Sequence, residues 1–192
     1  AVVRQGACPV LRGLHGKGVR AARFSHRRGA GANFSGSASL DDLGQLAGVL
    51  ADEGLHAELW TDCASLPDIA AQLIRLPVPV VIDHLGGVDV TAGVDAPGFR
   101  CLLELLETGQ VWVKLCVYRN VPGIGDLEAG RPFHDRLVQA NPQRLLWGSD
   151  WPHLRVAPQP DAAWLLECFK AWVGHAPTIE RILVDNPASL YA

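Results

Sequence analysis

Six short apolar runs, each broken by a turn and followed by a longer amphipathic stretch, set the terms on which this 192-residue chain can fold. Ala1–Val3, Val19–Phe24, Leu55–Trp60, Pro79–His84, Val111–Leu115 and Leu145–Gly148 have strand length and apolar character. Between and after them lie stretches with helical spacing: Pro9–His15, Asp41–Asp52, Leu66–Leu76, Gly98–Glu107, Pro132–Ala140, Asp161–Val173 and Thr178 to about Leu183. Gly54 and Gly109 stand where helix C-terminal stops belong. Strands that alternate with helices imply parallel β/α units, with the sheet buried under its helices.

Two features select among α/β architectures. No G-x-G-x-x-G or P-loop follows any strand, which removes the signature of a doubly wound nucleotide-binding sheet. The polar residues instead gather at the C-terminal ends of several different strands, which a (β/α)8 TIM-type barrel directs to one shared mouth. Such a barrel typically needs about 250 residues. The expectation is therefore a single domain over 1–192, an incomplete barrel with about six of eight β/α units that lacks its N-terminal strands. The sequence holds no methionine and opens on Ala1-Val2-Val3, so a fragment is the expected origin.

Composition narrows the partners. Hydrophobic residues make up 48% and charged ones 19%, a globular profile rather than a disordered one. A net charge of −3 gives no electrostatic reason to bind nucleic acid or an anionic membrane. Five scattered cysteines with no C-x-x-C pair argue against a disulfide framework or a Cys-type zinc site. They read as buried small hydrophobes of a cytoplasmic protein.

Alternate residues of a strand share a face, so the strand ends can be phased. Leu146, Gly148 and Asp150 fall together, and Gly148 leaves space beneath Asp150. Val80, Ile82 and His84 share a face that brings His84 to the mouth; Asp83, on the other side, reads as structural. Lys114 lies with Trp112 and reads as an ion-pair partner, with Arg119 in the next loop. His56, Glu58 and Trp60 share a face, as do Ala21 and Arg23. His134 and His153 read as surface residues, His153 lying close to the mouth. An aspartate beside a histidine can activate water, directly or through a divalent metal. Arginines fix an anionic substrate. The set suggests hydrolysis of a small acidic molecule, with Glu58 and Trp60 as further substrate contacts.

Five segments carry a resemblance: GVRAARFS (18–25), VPVVIDHLGG (78–87), VWVKLCVYR (111–119), RLLWGSDWPH (144–153) and VDNPASLYA (184–192). In this order they resemble the amidohydrolase-related, metal-dependent-type TIM-barrel hydrolases, in particular the lactonase branch that includes pyrone-dicarboxylate lactonase. In the last segment Asn186 has the character of a helix cap, with Pro187 at the first helical position. The resemblance implies that Asp150 activates water, that His84 lies beside the substrate, and that Arg23 and Arg119 contact substrate carboxylates. In metal-dependent relatives Asp150 and His84 would hold one divalent ion such as zinc; in metal-free ones, none. The chain departs from the pattern twice. No His-x-His pair occurs anywhere, and Gly87 stands where the dicarboxylate lactonase has an arginine. The second departure points to a less acidic or sugar-derived lactone. The implied function is a lactone or ester hydrolase acting on a small organic acid. A metal-dependent non-oxidative decarboxylase and an inactive or assembly-dependent half-barrel are the alternatives, and open sheet edges give a reason to form homo-oligomers.

Overall fold

The computed structural model describes residues 11–28 and 36–192. Within them, five parallel strands form one sheet: β1 (Ala21–His26), β2 (His56–Thr61), β3 (Val80–Ile82), β4 (Val111–Leu115) and β5 (Leu145–Trp147). Each strand pairs with the next in sequence, so the order β1-β2-β3-β4-β5 never reverses. A doubly wound sheet reverses direction at its ligand crevice, whereas a barrel wall advances one way. The described sheet is a segment of barrel wall in this sense. The expected strand Ala1–Val3 lies outside the described residues. So does the start of the expected helix Pro9–His15, whose described part ends in a 3-10 turn at His15–Lys17.

Helices α1 (Leu40–Asp52), α2 (Leu66–Leu73), α3 (Pro97–Glu107), α4 (Arg131–Ala140) and α5 (Ala162–Val173) follow the five strands in turn. Helix α1 starts one residue earlier than its spacing suggests because Ser39 caps it. The Ser39 hydroxyl accepts the Asp42 N–H at 3.2 Å, and the Asp42 carboxylate takes the Ser39 N–H at 2.7 Å. A reciprocal cap of this kind contributes about 1 kcal/mol. Helix α2 ends at Leu73, short of Leu76, since Leu76 precedes Pro77 and is driven out of helical conformation. Strand β3 covers only Val80–Ile82. Pro79 cannot donate to the ladder, though its carbonyl accepts from Ala57 at 3.0 Å.

The two faces of the sheet differ. Phe24, Leu59, Val80, Ile82, Val113 and Leu145 face the helices and join the main core with Leu43, Leu50, Leu102 and Leu106. The other face carries a small cluster, Val81, Trp112 and Leu146, covered by Leu190 and Tyr191. Those two residues belong to a terminal helix, α7 (Asn186–Tyr191), reached through α6 (Ala176–Glu180) and a π-helical turn at Arg181–Asp185. Asn186 is not a cap. It is buried within α7, and its amide donates to the carbonyls of Leu145 at 2.7 Å and Pro142 at 2.8 Å, at the foot of β5. The chain is already helical through Arg181–Asp185, so no helix begins at Asn186 and its side chain serves β5 rather than a helix N-terminus.

His134 and His153 are buried, 1% and 3% exposed, which corrects their reading as surface residues. The His134 ring packs edge-on to Phe169 and Trp172, an environment that polarity alone does not reveal. Cys63 and Cys116 are buried and Cys101 and Cys168 half-buried, all as thiols; burial pushes the Cys63 thiol up to about 12. Among the described residues, no helix is long and apolar enough to cross a membrane.

Burial holds the pKa of His134 and His56 below the ordinary histidine value of 6.5. A depressed pKa in the fold means that the unfolded chain binds more protons below that value. Stability is thus expected to fall as pH drops from about 6.5 towards 5, read as the urea midpoint of unfolding. His134→Phe, which keeps the ring contacts, should flatten that slope.

Candidate active site

Two layers of charge occupy the face of the sheet opposite the helices and its C-terminal rim. The lower layer follows from register: Arg23 pairs across the sheet with Glu58, and Glu58 with Val81. Asp83, two residues on from Val81, stays on that face. Lys114 Nζ lies 2.6 Å from Glu58 Oε1 and 3.2 Å from Asp83 Oδ1, while Arg23 Nη2 reaches Asp83 Oδ2 at 2.9 Å. Burial works against the Lys114 charge, but Asp83 and Glu58 outweigh it and raise the pKa far above the ordinary lysine value. Lys114 is therefore a fixed cation, an ion-pair partner as its phase suggested.

The upper layer is built from turns rather than strand phase. Val80 and Ile82 point into the helix-facing core, so a continued strand would bury His84 there as well. Instead β3 stops, and His84 opens a 3-10 turn with φ 50° that carries its ring to the rim. This corrects the face assigned to His84 while leaving its destination unchanged. Asn120 holds the turn by donating to the His84 carbonyl at 2.9 Å. Beyond β5, Gly148 and Ser149 lead to Asp150, whose φ is 59°. A side chain at Gly148 would meet open space, in keeping with the room expected beneath Asp150. His84, Leu85, Asp150, His153 and Arg155 all take the left-handed conformation. That conformation costs a non-glycine residue about 1 kcal/mol or more and gathers at functional sites.

Asp150 is the centre of the upper layer. Its Oδ2 accepts from Arg119 Nε at 2.5 Å and from the Tyr118 hydroxyl at 3.0 Å. Its Oδ1 lies 3.5 Å from His84 Nε2. Burial raises the carboxyl, but hydrogen bonds and charge from His84 and Arg119 prevail and hold it well below the usual carboxylate range. Burial also pushes the Tyr118 hydroxyl up, which keeps it a donor. Arg119 is held at its far end by the Leu154 carbonyl, 2.7 Å from Nη1.

A cavity of about 660 Å³ opens over this layer. Arg23, Trp60, His84, Arg119 and Asp150 all line it, so five of the six site residues read from the sequence meet there. Glu58 does not; it lies outside this lining with its carboxylate on Lys114. Arg27 and Arg155 also line the cavity, with the Arg27 guanidinium 4.7 Å above the Trp60 ring. Four arginines against Asp89 and Asp150 leave the lining formally positive, although Arg119 is paired with Asp150 and Arg23 with Asp83. Such a concavity of this size suits a small anionic molecule. His84, Cys116 and Asp150 each offer one ligand atom, all within 4.8 Å of one another. Tyr118, Asn120, Arg27 and Arg155 carry no signal of this placement in the sequence, because their positions depend on loop paths that no periodicity encodes, whereas Cys116 follows Lys114 in phase and reads only as a buried hydrophobe.

The chain belongs to the amidohydrolase family, whose model matches residues 10–192. It is 37% identical over 196 residues to a 2-pyrone-4,6-dicarboxylate hydrolase of Comamonas testosteroni, covering 94% of this chain and 62% of that protein. It is 32% identical over 190 residues to a 4-sulfomuconolactone hydrolase of Hydrogenophaga intermedia, covering 95% of this chain and 61% of the relative. A crystal structure from Agrobacterium tumefaciens superposes with a TM-score of 0.81 at 25% identity, over 94% of this chain and 64% of that one. The chain thus spans about three fifths of the length of the two curated relatives.

Proposed function

We propose that the chain carries the water-activating part of a hydrolase that opens an acidic lactone. The observation that carries this reading is the Asp150 carboxylate, tied back through Oδ2 and presenting Oδ1 beside His84 to an arginine-lined cavity. Water held against Oδ1 gives that oxygen a proton as its own oxygen attacks the lactone carbonyl. His84 polarises that carbonyl, and the tetrahedral intermediate collapses with rupture of the ring C–O bond. The proton on Asp150 passes to the departing ring oxygen, and the product is a hydroxy acid. Arg23 and Arg119 hold the substrate's acid groups. The relatives' names, a pyrone dicarboxylate hydrolase and a sulfomuconolactone hydrolase, support an acidic lactone as substrate.

A carboxylate held far below its ordinary pKa is a weak base. The same Arg119 that holds it also lines the cavity. An acid group arriving on that guanidinium competes with Asp150 for it and restores basicity at the moment of binding.

The donor set at the rim also fits a divalent metal. His84 and Asp150 would hold it with Cys116 as third donor, and it would supply Lewis-acid polarisation of the substrate carbonyl. That donor set admits a metal-dependent decarboxylase as second reading beside a metal-dependent lactonase, and activity that survives exhaustive chelation counts against both.

Gly87 bears on the acidity of the substrate. A Cβ there would stand 2.6 Å from the Thr61 carbonyl oxygen, at φ 61°. An arginine in its place cannot be seated without moving backbone. We expect Gly87→Arg to destabilise the fold by about 1–3 kcal/mol, seen as a lower denaturant midpoint, and to confer no dicarboxylate preference. The missing cation favours lactones of single acids or sugar acids.

The test is proton release by the purified chain on neutral, sugar-acid and dicarboxylate lactones. Opening of acidic lactones well above the uncatalysed rate, with little effect on neutral ones, supports the reading. A folded chain that opens none of them would sink it and favour the inactive-remnant alternative.

A further inference from the structure

Beside Asp150, outside the lining of the cavity, lies a pair of buried polar side chains that the proposed reaction leaves unused. Tyr118 is 5% exposed and His153 is 3% exposed. Their rings meet edge-on at 5.4 Å between centroids, and His153 Nδ1 lies 3.2 Å from the Tyr118 hydroxyl. That hydroxyl is 3.0 Å from Asp150 Oδ2. The His153 backbone N–H also donates to the Asp150 carbonyl at 2.9 Å, closing the turn that holds Asp150 in its left-handed conformation.

Proton counting orders this chain of contacts. A carboxylate only accepts, so the single Tyr118 proton points to Oδ2. The Tyr118 oxygen then has lone pairs alone to offer His153, and Nδ1 must carry the hydrogen. The direction is His153 Nδ1–H to Tyr118 O–H to Asp150 Oδ2. This leaves Nε2 as the bare nitrogen, and it is buried with no hydrogen-bond partner among the described residues. Among the described residues, one carboxylate oxygen takes both Tyr118 and Arg119, while the other meets His84.

We propose that Tyr118 and His153 form a positioning relay that ties Asp150 by Oδ2 and so assigns Oδ1 as the oxygen that takes the proton from water. The inference rests on the lactonase reading. It adds to that reading two residues that touch no substrate and act through Asp150. Outer groups that orient an active-site ligand typically affect rate by about 10–100-fold. A group that acts only on the reacting geometry lowers kcat and leaves KM in place.

The experiment pairs kinetics with the nitrogen NMR spectrum of His153 in the full chain. Tyr118→Phe deletes one hydroxyl and should lower kcat about 10–100-fold with KM unchanged. His153→Phe should lower kcat in the same direction, and His153→Asn, which returns an N–H near the Nδ1 position, should recover most of the loss. A merely structural pair would lower the unfolding midpoint and show no rescue by asparagine. In the wild-type spectrum His153 should be protonated at Nδ1, and Tyr118→Phe should abolish that preference. A Tyr118→Phe enzyme with kcat within twofold of wild type overturns the relay, as does His153 protonated at Nε2. If the wild-type chain opens no lactone, the lactonase reading falls by itself, and the His153 tautomer alone decides the relay.

Discussion

Asp150→Asn is expected to lower kcat for lactone opening by about 10³-fold, within the range that a positioned general base contributes. The substitution keeps the shape of the side chain. An amide oxygen can still accept from Arg119 and Tyr118, whose donors stand at 2.5 and 3.0 Å from Oδ2. What disappears is the second acceptor oxygen and the negative charge, so water keeps its place and loses its base. KM should change little, since the arginines that hold the acid groups remain. Folding offers an internal control. Asp150 has a pKa below the ordinary 3.8 in the folded chain, so its charge stabilises the fold above that value. The stabilisation is lost as pH falls below about 3.8 through the folded value. The Asn variant should lack that part of the acid dependence while matching the wild-type circular dichroism at neutral pH. Full activity in the variant would remove Asp150 from the mechanism.

Lys114→Met is expected to cost about 3 kcal/mol of stability, a large share of the 5–15 kcal/mol typical of a domain. Lys114 is the cation between two carboxylates, Glu58 at 2.6 Å and Asp83 at 3.2 Å. Asp83 is almost wholly buried, and Glu58 is mostly so. Methionine matches the length of the lysine stem but leaves both carboxylates without their shared partner, and Arg23 touches only one of them. The cost is that of uncompensated charge rather than of lost attraction. Pairing the change with Glu58→Gln should recover part of the loss, because one orphaned charge is then gone. Denaturant midpoints of the two single variants and the double variant measure this. Additive losses would show that the ion pairs are not coupled.

These expectations draw unequally on sequence. Strands β1, β2 and β4 were legible because their apolar runs are long enough to show phase. Lys114 was legible too, since Trp112 fixes its face. His84 reached the right place for the wrong reason. Alternation carried it past Ile82, whereas a left-handed turn delivers it. His153 reads as a surface residue because it sits among Trp151, Pro152 and Leu154, a turn-rich stretch whose neighbours Trp151 and Leu154 are indeed exposed. Its burial depends on Tyr118, 35 residues away, and contacts of that range leave no local signature. Asn186 misleads for the opposite reason. The local pattern Asn-Pro fits a cap so well that it conceals a long-range bond to Leu145.

That bond has a mechanical side. Strand β5 is three residues long, roughly 10 Å at about 3.3 Å per residue. Asn186 grips its foot and Asp150 stands just past its head. Only Gly148 and Ser149 separate this short strand from Asp150, so where β5 begins bears on where Asp150 stands. The first residue of α7 thus acts as the anchorage from which the aim of the proposed catalytic carboxylate is set.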